Sequence, residues 1–347
     1  MKTLTQEYSA ISALLARREE NPPRDLHLQA RPLLGGLESS SILHVTARYR
    51  DARGRSQVSS LVVKKLRGTA VREATVYRHL VQRHVSDLSP RLLGIEQSSP
   101  DQAVLYLEAV RPVNRWPWRE TRVAGRVLDG LARLHRTTLG SDVTDALTTW
   151  DYDSDLQASA ESTLELLERC RSQPLLSGMR HRLPAARRIV EALPVVRRQL
   201  LDFAPFGRTA VHGDMHPGNA LLRRRRGGQE PALLDWGRAR IGSPLEDVVS
   251  WLQSLGYWEP EARRRHDTLL GLYLSARGEE RKPSNAIRAA CWLAGASNAL
   301  AGALRHHLGV VGDGQVPTAR RAGAAHAARD WLRVIRRADA YSRGLSG

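Results

Sequence analysis

The spacing of apolar residues changes character several times along this chain. Between Leu4 and Leu15 they recur at weakly helical intervals before the breaker Asn21-Pro22-Pro23. Residues 1–30 therefore read as a helical extension ahead of the first lobe. Strand signals begin at Leu33-Leu34-Gly35-Gly36. Apolar positions alternate from Ser41 to Tyr49, a turn follows at Asp51–Gly54, and Val58–Leu66 continues the strand pattern, which together predict a small antiparallel sheet. Thr69–Val85 carries Val71, Ala74, Val76, Tyr77, Leu80 and Val81 at helical spacing, and Val104–Leu107 returns to a short strand. From Thr121 helical patterns dominate, interrupted by one strand-rich island from Thr209 to Ile241. A small, mostly β lobe (31–110) followed by a large, mostly helical lobe (111–347) is an α+β arrangement with a cleft between the lobes.

Composition narrows the class. The chain has 347 residues, 41% apolar and 26% charged, a soluble globular balance with enough length for two cores. Its longest nearly apolar stretch, Ala289–Leu304, holds Ser297 and Asn298 and is closed by Arg288 and Arg305. That is short of the ~20 residues a bilayer span needs and reads as a buried helix. The first thirty residues lack the apolar core of a secretory signal, and Cys170 and Cys291 are too few for a disulfide framework, so a cytoplasmic setting is expected. The net charge is +17, and only four of the 53 basic residues (Lys2, Lys64, Lys65 and Lys282) are lysines. Such a field suits nucleic acid, membrane or an acidic peptide, yet arginines spread over helix surfaces give the same total. Neither membrane nor nucleic acid is the expected partner. The run Arg223–Arg226 ahead of Gly227-Gly228 predicts a hairpin tip in water.

The chemistry concentrates in the island. Val211-His212-Gly213-Asp214-Met215-His216-Pro217-Gly218-Asn219 is followed by Leu233-Leu234-Asp235-Trp236-Gly237. An Asp in a loop punctuated by Gly and Pro, an Asn five residues later and a second Asp leaving an apolar strand supply hard oxygen donors of the kind Mg²⁺ accepts. Phosphoryl transfer asks for such a set: a carboxylate near the attacking hydroxyl and metal ions bridging the phosphates.

His-Gly-Asp-x-His-x-x-Asn followed by Asp-Trp-Gly resembles the catalytic and metal-binding loops of the aminoglycoside phosphotransferase and choline kinase-like family, which has a bilobal protein-kinase-like fold. The resemblance covers roughly residues 31–310. It implies that Asp214 is the catalytic carboxylate, that His212 braces the loop and His216 lies near the transferring phosphate, and that Asn219 and Asp235 hold Mg²⁺. Val62-Val63-Lys64-Lys65-Leu66 sets two lysines on one strand, and alternation lets only one of them face a cleft. The resemblance selects Lys64, with Glu73 on the following helix as its orienting carboxylate. It also implies that Gly36, Ser39 and Ser40 belong to the nucleotide-covering loop, and that backbone groups of Glu108 and Val110 read the adenine edge.

The expected activity is Mg²⁺-dependent transfer of the γ-phosphate of ATP or GTP to a hydroxyl of a small molecule such as an antibiotic, amino alcohol or sugar. Two other readings stay open: a kinase acting on Ser or Thr of a short peptide in natural-product maturation, and a kinase-shaped protein that binds without catalysis. The sequence differs from protein kinases in having His216 two residues after Asp214 and Trp236 where Phe is usual, and in lacking an Ala-Pro-Glu segment. Ser243-Pro244-Leu245-Glu246-Asp247 starts the next helix almost at once. Between Thr137 and Glu168 eight acidic residues and no basic one occur, which suits either a cationic acceptor or a solvated face.

Overall fold

Alternation of side chains builds one antiparallel sheet within the first third of the chain. The structure, a computed structural model, describes residues 5–33, 41–113, 116–140, 147, 150–203, 206–225, 228–258 and 260–344. Five strands, β1 (Arg24–Pro32), β2 (Ser41–Arg50), β3 (Ser56–Arg67), β4 (Leu92–Ser99) and β5 (Gln102–Glu108), pair in the order β1-β2-β3-β5-β4. On one face Leu43, Val45, Ala47 and Tyr49 of β2 and Leu61 and Val63 of β3 are buried together with Ile11 and Leu15 of helix α1 (Thr5–Glu19). Each such Leu, Ile or Val side chain contributes about 1.5–3 kcal/mol by leaving water. The hydroxyl of Tyr8 donates to the Leu26 carbonyl (3.2 Å), that of Tyr49 donates to Glu19 (2.9 Å), and Lys65 forms an ion pair with buried Glu7.

One strand starts earlier than the sequence reading places it. Strand signals are expected from Leu33, whereas β1 begins at Arg24 and pairs Leu28 with Ala47 and Ala30 with Val45. Only Leu26 on this edge strand is buried, so its apolar signal is thin.

Helix α2 (Arg72–Val76) runs on through a wider π turn at Tyr77–Val81 to Gln82–His84. Strands β7 (Ala220–Arg225) and β8 (Gly228–Leu233) form a hairpin with Ala220 opposite Leu233. The chain divides into two units, and this hairpin belongs to the smaller: Met1–Arg115 with Asn219–Arg238, against Trp116–Gly218 with Ala239–Gly347. The Arg223–Arg226 run is not wholly a solvated tip. Arg223 is buried and its guanidinium donates to the carbonyls of Ser89 (3.1 Å) and Asp87 (2.5 Å).

The larger unit is helical: α3 (Thr121–Thr137), α4 (Tyr152–Cys170), α5 (Leu183–Glu191), α6 (Leu193–Leu201), α7 (Pro244–Trp258), α8 (His266–Arg277), α9 (Asn285–Asn298), α10 (Leu304–Gly312) and α11 (Thr318–Gly344). Strands β6 (Thr209–Val211) and β9 (Arg240–Gly242) pair antiparallel within it. Its core joins Leu156 and Ala160 of α4, Leu293 and Ala296 of α9, Leu304 and Leu308 of α10, and Leu332 and Ile335 of α11. The apolar stretch Ala289–Leu304 is largely buried and helical but not one unbroken helix: the chain kinks in the segment Ala299–Ala303, where Gly302 leaves the helical conformation at φ 149°. No helix among the described residues is long and apolar enough to cross a membrane.

Burial makes several histidines reluctant to take a proton. It lowers the pKa of His135, and it pushes His266 and His307 down to about 4, with help from Arg263 and His306 respectively. Because an unfolded histidine titrates near ~6.5, the unfolded state binds more protons than the folded state just below that pH. The contribution of these residues is complete above the unfolded pKa and declines as pH falls through it. The urea midpoint is therefore expected to drop between pH 7.5 and 5.5, with His307→Asn narrowing that difference; equal midpoints at the two pH values contradict it.

Candidate active site

In the small unit the site begins with alternation on β3. Leu61, Val63 and Lys65 share the face that α1 covers, and Lys64 points the other way, 2.6 Å from Glu73 Oε2 and 2.8 Å from Asp235 Oδ1. Helix α2 supplies Glu73 from its first turn. Lys64 and Glu73 are almost fully buried, and Asp235 is a third exposed. Burial opposes the Lys64 ammonium, but Glu73 and Asp235 outweigh it and hold its pKa above the ordinary lysine value. Burial pushes the Glu73 carboxyl up despite the nearby ammonium.

The loop after β8 is held tightly. Asp235 has φ 60°, a left-handed conformation that non-glycine residues seldom adopt outside over-determined sites. Trp236, fully buried, donates its indole N–H to the Leu233 carbonyl (3.1 Å), and Arg72, beside Glu73, donates to the Gly237 carbonyl (3.0 Å). Asn219 stands at the same end of the β7–β8 hairpin, because the Leu234 N–H donates to its carbonyl at 2.8 Å. The fold thus brings Lys64, Glu73, Asp235 and Asn219 into one neighbourhood. Among the described residues no group of three or more His, Cys, Asp or Glu side chains is arranged to hold a metal alone. The oxygen donors of Asp235 and Asn219 fit Mg²⁺, which takes one or two protein ligands and completes its shell with phosphates and water.

In the large unit β6 delivers the His212–Gly218 loop. The N–H groups of His212 and Gly213 donate to the two oxygens of Asp247 at 2.7 and 2.8 Å. Asp247, in the first turn of α7, is buried and also meets His135 Nε2 at 3.2 Å, while His135 Nδ1 lies 2.9 Å from the Tyr273 hydroxyl. Burial works against the Asp247 carboxylate, but its bond to His135 and the Gly213 N–H hold its pKa below the usual range. His212 is fully buried and its Nδ1 accepts from the Asp214 N–H at 3.3 Å. The side chain of Asp214 is 42% exposed, accessible for chemistry. His216 Nδ1 accepts from the Gly218 N–H (3.0 Å), which assigns the proton of the neutral ring to Nε2, 3.7 Å from Asp214 Oδ2. Asp247 and His135 are contributors that motif reading passed over.

At the end of β5 the Glu108 N–H donates to the Arg91 carbonyl (2.9 Å), and its carboxylate lies 3.4 Å from the guanidinium of Arg223. Gly36, Ser39 and Ser40 lie outside the described residues. The acidic stretch before Glu168 is largely used within the fold. Asp151 caps α4 by accepting from the Ser154 N–H (3.2 Å), Asp153 pairs with Arg197 (2.8 Å), Asp155 accepts from the Trp150 indole, and Glu168 pairs with Arg187 (2.7 Å). Asp142 and Asp145 lie outside the described residues.

Comparison with known structures gives the same fold at low sequence identity. A choline/ethanolamine kinase family protein from Mesorhizobium loti is 18% identical, with 99% of this chain and 100% of that chain covered and a TM-score of 0.56. An aminoglycoside phosphotransferase from Alicyclobacillus acidocaldarius is 16% identical over 93% of both chains, TM-score 0.54. The amicoumacin kinase hAmiN, in complex with AMP-PNP, Ca²⁺ and Ami, is 16% identical over 94% of this chain and 96% of that one, TM-score 0.57. No curated protein matches the sequence. Residues 29–281 match the model of the phosphotransferase enzyme family, and the α+β, protein-kinase-like chain belongs to that family.

Proposed function

We propose that this phosphotransferase moves the γ-phosphate of ATP, or GTP, to a hydroxyl of a small molecule such as an antibiotic, amino alcohol or sugar, with Mg²⁺ as cofactor. The observation that carries the reading is the Lys64 ammonium held 2.6 Å from Glu73 and 2.8 Å from Asp235. A structural ion pair needs one carboxylate. A second, partly exposed one on a strained loop is what a phosphate-binding lysine beside a metal ligand requires. The amicoumacin kinase complex with AMP-PNP and Ca²⁺ supports a nucleotide and a divalent ion in this fold.

In this reading Lys64 neutralises nucleotide phosphates and Glu73 keeps its ammonium in place. Asp235 and Asn219 offer oxygens to the metal, which when bound neutralises charge on the phosphates. Asp214 accepts the proton of the attacking hydroxyl, as its 42% side-chain exposure permits, and His216 stands beside it to meet developing phosphate charge. His212 fixes the loop through the Asp214 N–H. The Glu108 carbonyl and the Val110 N–H read the adenine edge, and Gly36, Ser39 and Ser40 cover the phosphates. Asp151, Asp153 and Asp155 each bond within the fold, and of the three only Asp153 pairs with a cation. The direct test is incubation with Mg²⁺, ATP and panels of hydroxyl-bearing metabolites and of Ser/Thr peptides, read by mass spectrometry. A phosphoryl gain confined to peptides moves the assignment to a peptide kinase.

Asp214→Asn is expected to keep the melting temperature and lower turnover by about 10²–10⁴, the range for a positioned acid–base group; turnover near that of wild type removes Asp214 from this role. Asp235→Ala should raise the Mg²⁺ concentration needed for half-maximal activity or abolish activity, and an unchanged Mg²⁺ titration makes Asp235 purely structural. Lys64→Ala should suppress nucleotide turnover. Lys65→Ala should instead lower thermal stability by stranding buried Glu7 while turnover stays close to wild type; the opposite ranking refutes the assignment of the strand's two faces.

A further inference from the structure

Behind the His212–Gly218 loop the large unit buries two guanidinium groups where one hydrophobic side chain each would pack at lower cost. Arg240 on β9 stands opposite Val211 and is 2% exposed. Its Nη2 lies 3.1 Å from Glu246 Oε2, and its Cζ sits 3.7 Å from the centre of the Tyr152 ring. The other Glu246 oxygen accepts from Arg197, which also pairs with Asp153 at 2.8 Å. Gly242 leaves the space for this carboxylate, since a Cβ there would come within 2.4 Å of Glu246 Oε2. Asn298 Nδ2 donates to the Glu246 carbonyl at 2.7 Å.

Desolvating two arginines and a glutamate is a poor way to gain stability, because well-packed apolar residues of like volume often serve as well or better. Arg240 does one thing that an apolar residue cannot. Its Nη1 donates to the Gly213 carbonyl across 3.4 Å. Gly213 has φ 83°, and its N–H is held by Asp247. The peptide plane that joins Gly213 to Asp214 is held at its N–H end by His212 Nδ1 (3.3 Å), and the Arg240 contact supplies the hold at its carbonyl end.

We infer that Arg240 is a positioning residue: through the Gly213 carbonyl it sets the direction in which the Asp214 carboxylate points, and Glu246, Arg197 and Tyr152 hold it there. The inference rests on the reading of Asp214 as the carboxylate that faces the acceptor hydroxyl.

The test uses full-length Arg240→Ala and Arg240→Lys, with ADP release from MgATP and water as the acceptor. Arg240→Ala is expected to lose about 10²-fold in kcat with little change in the KM for MgATP, the signature of a misdirected group in an otherwise intact site. Arg240→Lys, which keeps a donor without the planar fork, should recover part of the loss, and added guanidinium below denaturing concentration should raise kcat of Arg240→Ala but not of wild type. Amide exchange over residues 211–218 should quicken in Arg240→Ala, while exchange over 41–67 stays unchanged; this readout needs no turnover. Wild-type exchange over 211–218 in a folded Arg240→Ala protein overturns the inference. So does a loss spread across the whole large unit without guanidinium rescue, which marks a purely structural arginine. Asp214→Asn is measured in parallel. If it turns over like wild type, the reading of Asp214 fails; if it is inactive while Arg240→Ala matches wild type, only the role of Arg240 fails.

Discussion

A lysine ammonium between two carboxylates is the charge on which the small unit depends. Buried alone, Lys64 would lose its proton or drive β3 toward water, and Glu73 would stay protonated. Held together at 2.6 Å they make each other tolerable, and Asp235 at 2.8 Å adds a second acceptor. That arrangement dictates what surrounds it. β3 must present Lys64 away from α1, α2 must start early enough to supply Glu73, and the hairpin must end so that Asp235 arrives at φ 60°. The indole bond of Trp236 and the Arg72 bond to Gly237 offset the cost of that backbone conformation.

The large unit meets a different constraint, that of aiming an exposed carboxylate from a short loop. In the role proposed for it Asp214 cannot be packed into place, because its side chain must stay accessible. The fold therefore fixes the backbone on either side of it: His212 and Gly213 through Asp247, and Asp214 through the ring of His212. Asp247 is in turn oriented by His135 and Tyr273 from α3 and α8. Three helices and one strand thus converge on a loop a few residues long.

The sequence shows some of this and hides the rest for physical reasons. Strand alternation separates the faces of Lys64 and Lys65, and the dense His-Gly-Asp and Asp-Trp-Gly motifs mark the loops, because local spacing carries that information. Asp247 reads as one more acid at a helix start, and His135 as one more polar residue on an amphipathic helix; their partnership spans 112 residues. Arg223 looks like part of a solvated run because its carbonyl acceptors lie 134 and 136 residues away in the chain. β1 escapes notice because an edge strand with one buried residue gives little hydrophobic contrast. The acidic stretch from Asp151 to Glu168 reads only as local charge, because its partners in the fold, the Ser154 N–H, the Trp150 indole, Arg197 and Arg187, follow from packing that residue spacing does not carry.

The division of the chain has a consequence for its synthesis. The small unit takes its last piece, Asn219–Arg238, from beyond the first hundred residues of the large unit. A ribosome working at about 5–20 residues per second needs roughly 6–25 seconds to travel from Arg115 to Arg238. Throughout that interval the nascent sheet carries Lys64 and Glu73 without Asp235, and the carbonyls of Asp87 and Ser89 without the guanidinium of Arg223. The N-terminal segment therefore precedes its last strand pair by about a hundred residues of synthesis, and no single cut of the chain can release either unit whole.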